Sequence, residues 1–87
     1  MPVIIIPTQW RDLTRGVSRV EVEGGDVREA VDALELRFPG VKGRLCRGDA
    51  LAPGLQVCVD DVMSPRGLRV ALRPASEVHF LPAIGGG

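Results

Sequence analysis

The residues of this chain that could take part in chemistry lie at its C-terminal end. The sequence closes with Gly85, Gly86 and Gly87, and Gly87 supplies the terminal carboxylate. Glycine has no Cβ, so its backbone can pass through a narrow channel that would exclude any side chain. This tail therefore suits insertion into another protein's active site, with the carboxylate of Gly87 as the reacting group. The alternative is a chain end whose glycines are merely flexible.

The other reactive side chains do not form a recognisable catalytic set. His79 is the only histidine, and no Ser–His–Asp or Cys–His pattern accompanies it. Cys46 and Cys58 lack the spacing of a C-x-x-C motif or of zinc ligands, so we expect reduced thiols. Asp60 and Asp61 are adjacent acidic residues of the kind that solvate a turn. No metal site is predicted.

Composition and charge exclude several classes of protein. The 87 residues, 45% of them hydrophobic, predict one small globular domain. The 11 basic and 11 acidic residues balance, whereas a nucleic-acid-binding domain carries a basic face. No apolar run approaches the length of a membrane span, and the opening residues 1–6 lack the basic flank of a signal peptide. We therefore expect a cytoplasmic protein that binds neither nucleic acid nor membrane.

The elements that must position the tail begin with a hairpin and a helix. The β-branched run Val3–Ile6 predicts a buried strand, and the alternating residues 17–23 predict its hairpin partner. Asp26 and Glu29 have the spacing of a capping box, and Pro39-Gly40 would end the helix that they begin. The apolar face of this helix is expected to consist of Val27, Ala30, Val31, Leu34 and Phe38.

The second half of the sequence predicts mostly strands. The expected segments are a short helical turn over 41–45, a loop over 47–53, strands over 55–59, 62–63 and 68–73, and a last strand over 77–81. In that last strand Val78 and Phe80 should face one side of the sheet, and His79 and Leu81 the other. Pro82 lacks an N–H and should end the strand.

This order of elements predicts an α+β fold. A hairpin followed by a crossover helix is typical of the β-grasp (ubiquitin-like) fold, here a mixed sheet of four to five strands with one main helix. The first and last strands should pair in parallel at the centre of the sheet. We expect a β-grasp domain over residues 1–81 and a flexible tail over 82–87.

Several short stretches indicate a family. They are Ile6-Pro7-Thr8 with Arg11, Gly25-Asp26, Phe80-Leu81-Pro82 and Gly86-Gly87. With these the chain resembles, over essentially its whole length, the ThiS/MoaD family of ubiquitin-like sulfur carriers. The Ile-Pro-Thr opening and Arg44-Leu45 are most similar to the CysO-like branch, which supplies sulfur for cysteine biosynthesis. Relatives usually carry Ala or Ser at the position of Gly85.

The resemblance implies a defined chemistry at Gly87. An E1-like enzyme would adenylate the carboxylate with ATP and Mg²⁺, and sulfur would then replace AMP to give a thiocarboxylate. A synthase would take up the tail and transfer the sulfur to a small molecule. The chain would be a protein cosubstrate rather than an enzyme, with no cofactor of its own. Cysteine synthesis is favoured as the destination of the sulfur, and molybdopterin, thiamine and thiosugar synthesis stay open.

Binding of such partners needs an apolar surface beside the tail, because the tail alone buries little area. We expect Leu81 to be the anchor of this surface, with Pro82, Ala83 and Ile84 along the entry channel. Cys58 and His79 should lie on the same outer face of the sheet.

Two alternatives remain open at this point. The chain could be a ubiquitin-like modifier whose Gly87 is joined to lysines of other proteins. It could also be a β-grasp binding module in which the tail has no role.

Overall fold

The structure, a computed structural model, describes residues 1–82. The strands are β1 (Val3–Ile5), β2 (Arg19–Glu21), β3 (Cys46–Arg47), β4 (Ala50–Leu51), β5 (Leu55–Val59), β6 (Val62–Ser64) and β7 (Glu77–Pro82). The helices are α1 (Val27–Arg37) and α2 (Val41–Leu45), with 3-10 turns at Thr8–Trp10 and Gly67–Arg69. The tail residues to which the sequence assigns function, Ala83, Ile84, Gly85, Gly86 and Gly87, lie outside the described residues.

The main sheet has the predicted mixed topology. Its five strands are ordered β2-β1-β7-β5-β6. β1 pairs antiparallel with β2 and parallel with β7, and β5 pairs antiparallel with both β6 and β7. The first and last strands of the chain are therefore neighbours at the centre, which confirms the α+β, β-grasp prediction.

Helix α1 begins where the capping pattern predicts. Asp26 Oδ1 accepts a hydrogen bond from the N–H of Glu29 at 2.8 Å. Glu29 Oε1 accepts from the N–H of Gly25 at 2.7 Å, one residue before the position expected for a capping box. Both bonds satisfy N–H groups that have no partner inside the helix. No helix within residues 1–82 is both long enough and apolar enough to cross a bilayer.

The core lies between α1 and one face of the sheet. Alternate strand residues and the apolar stripe of α1 form one buried cluster, because strand side chains repeat every two residues and helix side chains every three or four. The largest fully buried side chains are Ile4, Leu34, Leu45, Val27, Val31, Val41, Val57, Val78 and Thr14. The side chains on the other face of the sheet are half-buried or exposed.

The strand predicted over residues 68–73 is wrong. Residues 67–69 form a 3-10 turn, in which Leu68 is buried, and the extended residues that follow pair with the start of α1 instead of the sheet. Val27 donates to the carbonyl of Val70 at 3.0 Å, and Leu72 donates to the carbonyl of Gly25 at 2.9 Å. The apolar residues do alternate, but their backbone partners are Gly25, in the loop before α1, and Val27, the first residue of α1.

The loop predicted over residues 47–53 also contains structure. β3 and β4 form a two-stranded ribbon, with Cys46 opposite Leu51 and Arg47 opposite Ala50. The ribbon turns at Gly48, whose φ of +60° is a conformation that glycine adopts without strain. Strands of two residues are too short to show a periodic pattern in a sequence.

The last strand runs one residue further than predicted. Pro82 is part of β7 and is opposite Leu55 of β5. On the other side of β7, the partner strand β1 reaches only His79. Pro82 therefore occupies an edge position, where the missing N–H of proline is tolerated. The predicted division into a domain over 1–81 and a tail over 82–87 stays a prediction.

Candidate partner-binding face

The final strand presents opposite side chains to the core and to the outside. Val78 and Phe80 are buried, at 0% and 4% exposure, whereas Leu81 is 39% exposed. His79 is half-buried on the same side as Leu81. This alternation confirms the predicted orientation of the strand, and it places an apolar side chain beside the point where the described chain ends.

The register of the sheet gathers further side chains around Leu81. Ile5 pairs with His79, His79 with Cys58, and Cys58 with Met63, so these four form a row across four strands. Met63 is 49% exposed and the other three are half-buried. We call Ile5, Cys58, Met63, His79 and Leu81 the outer patch.

Two members of the outer patch, Ile5 and Met63, were not predicted as site residues. Ile5 was treated only as part of a buried run, although strand alternation places it opposite to Ile4 and Ile6. Met63 could have been found from the Asp60-Asp61 turn, because a two-residue turn sets the register of the β5–β6 hairpin. The predicted positions of Cys58 and His79 on this face are confirmed.

A charged group borders the outer patch. Glu77 contacts His79 at 2.7 Å between Oε1 and Nε2, and Arg19 at 3.6 Å between Oε2 and a guanidinium nitrogen. The hydrogen bond from His79 and the positive charge of Arg19 lower the pKa of Glu77. The contact with Glu77 restrains the ring of His79, which is half-buried within the outer patch.

The start of β7 is fixed by a carboxylate. Asp60 accepts hydrogen bonds from the N–H of Glu77 and the hydroxyl of Ser76, both at 2.9 Å. These two donors lower the pKa of Asp60. Asp60 and Asp61 both have positive φ, the left-handed conformation that a tight hairpin turn requires and that Asp tolerates. This turn sets the position of β7, and therefore of Leu81.

A shallow depression of about 260 Å³ lies beside Leu81, between β7 and the segment after β1. Its lining includes Pro7, Thr8 and Arg11, all part of the stretch that indicated the family. The Nε of Arg11 donates to the carbonyl of Ile6 at 3.2 Å, which ties the guanidinium to the end of β1. A partner that covers Leu81 would also reach this cation.

Residues 1–82 show neither a metal-binding cluster nor a buried polar side chain without a partner. In residues 1–82 no group of three or more His, Cys, Asp or Glu side chains could hold a metal ion. Every buried side-chain nitrogen and oxygen there has a hydrogen-bond partner. Cys46 and Cys58 are free thiols, and burial raises the pKa of Cys46.

Known structures share this fold over the full chain. A chain of the crystal structure of the Amycolatopsis orientalis BexX/CysO complex matches with a TM-score of 0.90 and 32% identity, covering 100% of both chains. The crystal structure of Mycobacterium tuberculosis CysO, an antigen, matches with a TM-score of 0.86 and 26% identity. That match covers 97% of this chain and 100% of the other.

One curated sequence is similar over a part of its length only. It is the UDP-N-acetylmuramoyl-L-alanyl-D-glutamate--2,6-diaminopimelate ligase of Zymomonas mobilis, 40% identical over 67 residues. The match covers 74% of this chain but 14% of the ligase, so the chain spans about one seventh of that protein's length.

The family comparison covers nearly the whole sequence, including the C-terminal glycines. The model of the ThiS family matches residues 4–87. This match agrees with the β-grasp topology and with the two CysO structures. The chain therefore belongs to the ThiS family and has its ubiquitin-like sulfur-carrier fold.

Proposed function

We propose that this chain carries sulfur on its C-terminal glycine. The carboxylate of Gly87 attacks the α-phosphorus of ATP in an E1-like enzyme, forming an acyl-adenylate and releasing pyrophosphate. Sulfide then attacks the acyl carbon, and AMP leaves to give the thiocarboxylate. A persulfide donor would instead give an acyl disulfide, whose S–S bond a thiol then reduces to release the thiocarboxylate and form a disulfide with the donor. The observation that carries this proposal is the ThiS-family match, which runs through Gly87.

The geometry of the described residues supports a carrier that works by docking. β7 is the central strand of the sheet and leads directly to the tail; β1 pairs with it as far as His79, and β5 pairs with it through Pro82. The outer patch lies at that base and offers apolar area that the tail lacks. The carrier supplies reach and binding, and the partner enzymes supply the catalytic groups.

Two kinds of partner follow from this chemistry. The first is the E1-like enzyme, which uses ATP and Mg²⁺, and the second is a synthase that accepts the sulfur. The likeness to a chain of the BexX/CysO complex supports a function exercised on a partner enzyme. We favour cysteine synthesis as the destination, because both reported structures contain CysO. The free thiols fit a cytoplasmic location.

Intact-mass spectrometry tests the proposal. The chain is incubated with the E1-like enzyme of its own organism, ATP, Mg²⁺ and sulfide. We expect its mass to rise by the difference between one sulfur and one oxygen atom, since one carboxylate oxygen is replaced. Omission of ATP should prevent the change, because the free carboxylate resists nucleophilic attack.

A variant lacking Gly86 and Gly87 is the matched control, and its mass should stay constant. If the mass of the full chain stays constant although the E1-like enzyme is active under the same conditions, the sulfur-carrier function is excluded. If the product is instead joined to lysines of added proteins, the chain is a modifier. If loss of the two glycines changes no activity of the protein, it is a binding module.

A further inference from the structure

A second and larger depression, about 840 Å³ in volume, lies at the same end of the sheet as Pro82. It is bordered by β4, by the β5–β6 hairpin and by the 3-10 turn Gly67–Arg69. Its large apolar side chains are Leu51, Leu55, Met63 and Leu68, and Arg66 and Arg69 supply two cations. We call these six residues the basic groove.

The fold fixes the spacing of the two cations. The N–H of Arg69 donates to the carbonyl of Arg66 at 3.0 Å, which closes one turn of 3-10 helix. Side chains three residues apart in such a turn lie above one another, about 6 Å apart along the axis. The turn is held against β4, because a Cβ on Gly67 would lie 3.4 Å from Leu51 Cδ1. The backbone therefore fixes the points from which the two exposed arginine side chains extend.

These cations have no carboxylate partner within residues 1–82. The ion pairs in that part of the chain join Arg19 to Glu77, Arg28 to Asp49, Lys42 to Asp32, and His79 to Glu77. Asp49 also lines the groove, but Arg28 binds its carboxylate at 3.3 Å. The groove is locally positive in a chain whose net charge is zero, so its complement is an anionic ligand.

The basic groove is continuous with the candidate partner-binding face. Met63 belongs both to the groove and to the outer patch. Leu55, in the groove, is opposite Pro82, from which the tail continues. A protein that covers the outer patch and receives the tail therefore extends into the groove. This position favours a segment of the partner protein over a small molecule.

We propose that the basic groove binds an extended acidic segment of the partner, an inference that rests on the proposed carrier function. In an extended chain, residues two apart lie on one side and are separated by about 6.6 Å. Two carboxylates at alternate positions therefore match Arg66 and Arg69. The apolar residues that also line the groove favour an aliphatic residue between these carboxylates.

A synthetic peptide tests this inference without the partner. The probe is a short capped peptide in which two glutamates flank a leucine, added to the ¹⁵N-labelled full chain. We expect amide shifts to concentrate at the basic groove and to weaken as salt is added. The double variant Arg66→Gln, Arg69→Gln should bind about tenfold more weakly, since each partly exposed ion pair accounts for about a factor of three.

Two controls isolate the carboxylate–guanidinium contacts. Arg44→Gln removes an exposed cation of α2 outside the groove and should leave binding unchanged. A peptide with glutamines in place of both glutamates should bind as weakly as the wild-type peptide binds the double variant. The inference would be overturned if the glutamate and glutamine peptides bound equally well, or if the double variant bound the glutamate peptide as tightly as the wild type does. Amide shifts confined to surfaces other than the basic groove would also overturn it. If inorganic phosphate occupied the groove as tightly as the glutamate peptide does, the inference would also be overturned, because the groove would then be a simple anion site.

The outcome is separable from that of the carrier function. Peptide binding requires neither ATP nor the carboxylate of Gly87. Thiocarboxylate formation without peptide binding would therefore overturn only the acidic-segment inference. Peptide binding without thiocarboxylate formation would overturn only the carrier function.

Discussion

Leu81 is the residue whose position most directly links the body of the protein to the tail. It is 39% exposed on the central strand, one residue before Pro82, and shares the outer face with His79 and Cys58. A leucine at such a site can bury much of its side chain against a partner, while its loss affects the isolated protein little. Leu81 should therefore affect binding far more than stability.

The substitution Leu81→Glu tests this separation. We expect kcat/KM for adenylation by the E1-like enzyme to fall about thirtyfold or more, because loss of a central anchor costs about 2 kcal/mol. The midpoint of urea denaturation should change little. Leu36→Glu is the matched control, since Leu36 is 86% exposed on α1, outside the outer patch. Equal adenylation of both variants and the wild type would contradict the anchor role.

Sequence patterns predict some of the structural elements correctly and fail for others. The capped helix, the β5–β6 hairpin and the orientation of Leu81 follow from local rules, because caps, tight turns and strand alternation involve residues close in sequence. The extended residues 70–72 were misassigned because hydrogen bonds to Gly25 and Val27, far away in the sequence, decide their pairing. Arg66, Arg69 and Arg73 form a basic cluster in the sequence, which predicts a solvated strand edge or, alternatively, a contact with an acidic partner face. The groove itself could not be predicted, because β4, the β5–β6 hairpin and the 3-10 turn Gly67–Arg69 meet only in the fold.

Gly24 and Gly43 cannot be told apart by residue type, but they differ in what surrounds them in the fold. A Cβ on Gly24 would lie 2.7 Å from the backbone nitrogen of Ala30, so the loop before α1 packs directly on the helix. A Cβ on Gly43, inside α2, would meet nothing within 4 Å. Gly24 is therefore required by packing, whereas Gly43 only adds backbone entropy to the unfolded chain.

Alanine at each position should change stability in opposite directions. Gly24→Ala should lower the free energy of unfolding by about 1–3 kcal/mol, the usual effect of overpacking. Gly43→Ala should raise it by up to about 1 kcal/mol through helix propensity. Urea denaturation at unchanged m-value measures both. Stabilisation by Gly24→Ala would show that the approach of the loop to α1 is not as close as described.

The whole molecule is held together partly by carboxylates at its junctions. Glu35 accepts hydrogen bonds from the backbone of Gly40 at 3.0 Å and of Lys42 at 2.8 Å, and so joins α1 to α2. Asp60 joins the β5–β6 turn to the start of β7. The backbone donors are the main cause of the lowered pKa of each carboxylate.

These lowered pKa values predict a loss of stability in acid. A group whose pKa is lower in the folded state stabilises the fold fully above its unfolded value. The ordinary values are 4.5 for Glu35 and 3.8 for Asp60, so stability should decline as pH falls below them and through the lower folded values. Denaturant midpoints between neutral pH and strong acid measure this decline.

Asp60→Asn should lower the midpoint at neutral pH and make the acid decline shallower. Asp61→Asn is the control, because Asp61 is exposed in the same turn and shares its positive φ but lies outside this bonding network. An acid decline equally steep in Asp60→Asn and in the wild type would contradict the assignment.

The parallel pairing of β1 with β7 has a mechanical consequence. Val3 lies beside Glu77 and Ile5 beside His79, so the N-terminus and Pro82 leave opposite ends of the paired strands. A partner that pulls on the chain beyond Pro82 while the body is held near its N-terminus loads this pair in shear. The evenly spaced hydrogen bonds of parallel strands then share the force, instead of breaking one after another as in unzipping. A pull on the tail is therefore resisted by all the hydrogen bonds between β1 and β7 together.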